Sequence, residues 1–83
     1  MQKSTHTEEY ERFRLQLIEA RRSVGLSQVD LATRLDKPQS FVSKFERGER
    51  RLDVVEFRQV AEAIGVDPIR FLRKVYGSRD GSK

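Results

Sequence analysis

Residues 26–48 read LSQVDLATRLDKPQSFVSKFERG, and the fold turns on how this stretch is divided. Ser27 is followed three residues later by Asp30, so each side chain can bond the other's backbone N–H at a helix start. Leu26 before that cap and Leu31 after it are spaced to form a hydrophobic staple. A helix from Gln28 to Leu35 then carries Leu31, Ala32 and Leu35 on one side. A second helix, from Pro38 to Arg47, turns Val42 and Phe45 inward and has Pro38 at its first position. Only Asp36 and Lys37 lie between the two, and so tight a turn makes helices cross steeply. Ala32 falls near the crossing, where a small side chain lets the backbones approach. The other side of the second helix carries Gln39, Ser40, Ser43, Lys44 and Arg47. That side is polar, basic and rich in hydrogen-bonding groups, a chemistry suited to base edges in a major groove.

The same punctuation recurs outward from this stretch. Asp53 with Glu56, flanked by Leu52 and Phe57, marks another helix start. Asp67 followed by Pro68, flanked by Val66 and Phe71, marks one more. Gly25, Gly48, Gly65 and Gly77 each follow a helical pattern, where a left-handed terminating residue is expected. The chain therefore reads as all-α with five helices. The first runs from about Glu8 to Val24, with Phe13, Leu17 and Ile18 inward. The fourth runs from Val54 to Ile64, with Phe57, Val60, Ala61 and Ile64 inward, and the fifth from Pro68 to Tyr76, with Leu72 as its surest core residue. Residues 1–7 are expected to be a flexible arm, 8–77 the folded domain and 78–83 a disordered tail.

Eighty-three residues suffice for one domain with a single core and no enclosed catalytic cleft. The formal net charge is +4 and the pI about 9.9, so the domain is attracted to polyanions, nucleic acid ahead of anionic membrane. There is no cysteine, hence no disulfide framework and no thiolate metal site. No apolar run has the length of a membrane span, and the polar N-terminus is unlike a signal peptide. A cytoplasmic protein that needs no cofactor is expected, associated with the nucleoid when bound to DNA. His6 stands alone in a polar segment, and Glu8, Glu9 and Glu11 fit the first turns of a helix, where the macrodipole favours negative charge. No nucleophile–base pair, metal-ligand cluster or phosphate-cradling glycine loop appears, so an enzyme is not expected.

The segment Leu26-Ser27-Gln28 through Leu31-Ala32, with Gln39 to Gly48 and Arg21 upstream, resembles the Cro and lambda-repressor-like helix-turn-helix family. The likeness extends over roughly Phe13 to Leu72. It implies a helix-turn-helix formed by the second and third helices, the third lying in the major groove of double-stranded DNA. The resemblance implies that Gln28 contacts a phosphate and braces Gln39, and that Gln39 reads a base, adenine if it bonds bidentately. Ser40 and Ser43 would meet bases or nearby phosphates, and Lys44 a guanine or a phosphate. Arg47 would grip the backbone, with Lys37, Arg50 and Arg51 as further phosphate contacts. Arg21 and Glu46 would form an ion pair that positions the reading helix. The sequence departs from the family in the turn, where glycine and an apolar residue usually stand in place of Asp36 and Lys37. Asp36 can adopt the left-handed conformation at some cost, and Lys37 is then free to point at DNA.

The role implied is a sequence-specific transcriptional regulator, with repression the expected outcome. So small a domain makes few base contacts alone, so a homodimer on a near-palindromic operator is expected. Phe71, Val75 and Tyr76, if exposed, would offer its interface. Phe41 either completes the core or packs on a thymine methyl. The basic residues Arg70, Arg73, Lys74, Arg79 and Lys83 would favour a helix C-terminus, add nonspecific DNA affinity or serve solubility. The alternative is a protein-interaction module, such as an antitoxin or accessory factor, built on the same fold.

Overall fold

A computed structural model describes residues 7–77 and contains five helices: α1 Glu8–Ser23, α2 Gln28–Leu35, α3 Gln39–Glu46, α4 Val54–Ile64 and α5 Pro68–Tyr76. Among the described residues there is no strand. The expected arm and tail lie outside the described residues except at Thr7. That residue is the N-cap of α1, its hydroxyl accepting from the Tyr10 N–H at 3.1 Å.

Helix starts follow the local chemistry. Ser27 and Asp30 form a reciprocal capping box on α2, as do Asp53 and Glu56 on α4. Asp67 caps α5, with Pro68 in its first turn. The ends of α1 to α4 share one motif. The residue after α2, Asp36, sits at φ 58, its N–H bonding the Thr33 carbonyl while the Lys37 N–H bonds that of Ala32. The same pair of bonds closes α3 at Gly48, from Gly48 N–H to Phe45 and from Glu49 N–H to Lys44. Gly48 has φ 81, a conformation that L side chains rarely adopt, and it is buried. Asp36 is the one residue other than glycine among the described residues in that region, so this turn forms without glycine.

Several expectations are corrected. Both ends of α3 are shorter than expected: Pro38 is its N-cap with extended ψ of 155°, and Arg47 its C-cap. Once Asp36 has reversed the chain, an extended residue is needed to launch α3, and the fixed φ of proline accepts it. The first helix likewise stops at Ser23, with Val24 as its cap. Gly77 has φ −79 and stays right-handed, ending α5 without a left-handed turn. On α5 it is Phe71 and Val75 that are buried, Leu72 lying half-buried at their flank. The stripe expected to offer a dimer interface is therefore largely core, and the Tyr76 hydroxyl donates to the Glu9 carbonyl at 2.5 Å. Ile18 is half-buried beside the fully inward Leu17.

The core is one cluster of buried residues. Phe13, Phe57 and Phe71 form an aromatic cluster joining α1, α4 and α5, with ring centroids 5.2–5.9 Å apart. Leu17, Leu31, Ala32, Val42, Phe45, Val60, Ala61, Ile64 and Val75 complete the same buried core. Burying a side chain as completely as Leu31 or Phe45 contributes about 1.5–3 kcal/mol. The inner face of α3 is thus held by apolar burial, and its opposite face is left outward.

Candidate nucleic-acid interface

The interface begins with what fixes α3. Its last residue, Glu46, is buried, and so is Arg21 of α1. Arg21 donates twice to the Glu46 carboxylate, at 2.7 and 2.9 Å, and once to the Leu26 carbonyl at 2.8 Å. The planar guanidinium thereby satisfies a buried carboxylate and ties the α1–α2 loop to α3. Gln28, the first residue of α2, donates its amide to the same carboxylate at 2.9 Å. Arg14 adds a further grip, donating to the Glu46 carbonyl while paired with Glu11 at 2.5 Å. One residue at the end of α3 is therefore held through its side chain and its backbone.

The outward ridge starts from that anchor. Glu46 as a carboxylate can only accept, so Gln28 must turn its NH2 group toward it. The Gln28 carbonyl oxygen then faces Gln39, whose amide nitrogen donates to it at 3.3 Å. Gln39 keeps its carbonyl oxygen and a second N–H directed away from this bond. An acceptor beside a donor is the pattern that matches the N6 and N7 edge of adenine. Gln39, Ser40, Lys44 and Arg47 are exposed along the ridge, and Ser43 is half-buried between them.

The cations around the ridge are more engaged than the sequence suggested. Lys37 is exposed, but its ammonium lies over the Phe41 ring at 5.3 Å. Arg50 covers the same ring at 4.9 Å and donates to both oxygens of Glu56, at 2.9 and 2.6 Å. Hydrogen bonds from Arg50 and from the Asp53 N–H pull the Glu56 carboxyl down to about 2. Phe41 is half-buried, set edge-on to Phe45 between these cations. Arg47 donates to both oxygens of Glu49, at 2.8 and 3.1 Å, which lowers the Glu49 carboxyl below its ordinary range. Arg51 stacks on the Tyr10 ring of α1 at 4.4 Å, and the Tyr10 hydroxyl accepts from the Leu52 N–H. The structure thus joins Gln28 to Gln39 and Arg21 to Glu46, while Arg51 faces α1.

Sequence reasoning missed Arg14, Glu49 and Tyr10 as members of this region. Arg14 and Glu46 are 32 residues apart, and a carbonyl acceptor leaves no signature in sequence. Glu49 is two residues from Arg47, a spacing that does not meet on a helix. It meets here because Gly48 reverses the chain. The acidic residue after Arg47-Gly48 was the available signal.

A family model described as "Helix-turn-helix" matches residues 17–71. No curated protein matches the chain. Among solved structures, an XRE-family-like protein from Pseudomonas syringae pv. tomato str. DC3000 is 47% identical, with a TM-score of 0.81, covering 84% of this chain and 85% of that one. A point mutant of the restriction-modification controller protein C.Esp1396I superposes with a TM-score of 0.79 at 18% identity, covering 94% of this chain and 99% of that one, a likeness of fold alone. With α2 and α3 crossing through a three-residue turn and the family model spanning most of the domain, the chain belongs to the XRE-type, Cro and lambda-repressor-like helix-turn-helix family of DNA-binding regulators.

Proposed function

We propose that this DNA-binding regulator is a sequence-specific repressor that inserts α3 into the major groove of duplex DNA. The observation that carries the reading is the outward ridge of α3, left uncovered while its far end is gripped by Arg14, Arg21 and Gln28. In this reading Gln39 reads adenine, with Gln28 setting its orientation. Ser40, Ser43 and Lys44 meet neighbouring base edges, and Gln28, Lys37, Arg47 and Arg50 meet phosphates that set register. Arg51 reaches phosphate only if it leaves Tyr10.

A ridge this short reads few bases, so the operator is near-palindromic and is bound by a homodimer, with half-sites roughly 34 Å apart. No cofactor is required by any step. Regulation then comes from protein concentration, from a partner or from competition for the operator.

Fluorescence anisotropy across a salt series, with duplex from upstream of the protein's own reading frame and with random duplex, tests this. Preference for the upstream duplex, with affinity falling steeply as salt rises, is the expected result. Equal binding to both duplexes would remove sequence-specific repression. Binding to neither would favour a role in protein interaction.

A further inference from the structure

The pair between Arg47 and Glu49 is a feature the proposed function does not use. Arg47 closes α3 at the edge of the outward ridge, and Glu49 is the second residue of the turn that follows. The turn is fixed by bonds from Gly48 N–H to Phe45 and from Glu49 N–H to Lys44. Its effect is to fold the Glu49 carboxylate back against the guanidinium, two parallel N–H bonds meeting two oxygens. This is also how a guanidinium meets a phosphate. Both side chains are more than half exposed, so neither is desolvated and the pair can be opened by a competing anion.

The neighbouring pair behaves differently. Arg50 is stacked on Phe41, and its partner Glu56 simultaneously caps α4 through the Asp53 N–H. Opening that pair disturbs a helix start and an aromatic contact together. Two arginines of the same loop region are therefore held by carboxylates, one pair tied to a helix start and a ring, the other exposed and tied to neither.

We propose that Glu49 is an intramolecular stand-in for DNA phosphate: it occupies Arg47 in the free protein, must be displaced on binding, and so weakens attachment to duplex of any sequence. The inference rests on the proposed DNA-binding role of the ridge. It makes Glu49 a residue that sets the overall affinity for duplex, since its displacement costs the same on every sequence.

The test is a double-mutant cycle on random-sequence duplex, read by fluorescence anisotropy over a potassium chloride series. The proteins are wild type, Glu49→Gln, Arg47→Gln, the double variant, and Glu19→Gln as a charge-matched control on the exposed surface of α1. Glu49→Gln is expected to tighten binding about two- to fivefold at low salt, the range open to an exposed ion pair. Its salt slope should steepen by up to about 0.9, because no freed carboxylate then takes up a cation when Arg47 meets phosphate. In the Arg47→Gln background the gain should shrink to that of Glu19→Gln. A Glu49→Gln affinity equal to wild type, or a gain undiminished without Arg47, overturns the proposal while leaving the DNA-binding role intact. Absence of duplex binding by the wild type at every salt concentration would remove both.

Discussion

At its C-terminal end α3 finishes in Glu46, whose carboxylate accepts from Arg21 and Gln28 and whose carbonyl accepts from Arg14. At its N-terminal end it starts from Pro38 with no side-chain cap, and Gln39 and Ser40 stand in solvent. The two ends are about one short helix apart, yet one is buried and saturated with partners and the other is open. The proposed reading role of α3 calls for this asymmetry. Gripping one end through buried, directional bonds fixes the aim of the whole rod, because an eight-residue helix is stiff over its length. The face that must meet another molecule can then stay free of protein contacts. Gln39 is linked to the fixed end through its bond to Gln28.

The comparison can be broken from the fixed end first. Arg21→Ala leaves the buried Glu46 carboxylate without its main partner and is expected to destabilise the domain by about 3 kcal/mol or more. Urea unfolding followed by circular dichroism measures this, and a loss under about 1 kcal/mol would show that the pair holds nothing. Arg14→Ala removes a charged donor from the Glu46 carbonyl, a partly exposed contact, with an expected loss of about 1–2 kcal/mol in the same assay.

The smallest effect concerns pH. The Glu56 carboxyl titrates at about 2 in the folded chain against an ordinary 4.5, so folding is favoured by its ionised form. That stabilisation is fully present above the unfolded value and fades as pH falls toward the folded one. The pair is partly exposed, and solvent screening keeps the effect to about 1 kcal/mol or less. Glu56→Gln should lower the thermal midpoint at neutral pH and match the native chain near pH 2. A difference that persists unchanged in acid would assign the effect to the cap alone.

Most of the fold is legible in the sequence because its determinants are local. Ser27 with Asp30, Asp53 with Glu56 and Asp67 with Pro68 each carry a helix start within four residues, and α2, α4 and α5 begin where that chemistry places them. The turn at Asp36 was legible for the same reason. What was lost depends on distance or on fine rotation. Nine residues of α5 leave the helix phase ambiguous by one position, enough to exchange Leu72 for Phe71 in the core. The candidate ridge was readable from the spacing of Gln39, Ser40, Ser43, Lys44 and Arg47. The partners of its cations were not, because Glu49 meets Arg47 only through a turn, Arg50 reaches Glu56 past another, and Tyr10 meets Arg51 from across the domain.

Selection of bound duplexes from a random pool, run in parallel with the native chain and with Gln39→Ala, bears most directly on the aim of α3. We expect the native chain to enrich a short two-fold symmetric site, and Gln39→Ala to lose preference at one base pair in each half while weakening specific binding by about 1–3 kcal/mol. An identical site from both proteins, or no enrichment by the native chain, would contradict the assignment of this ridge as the reading surface.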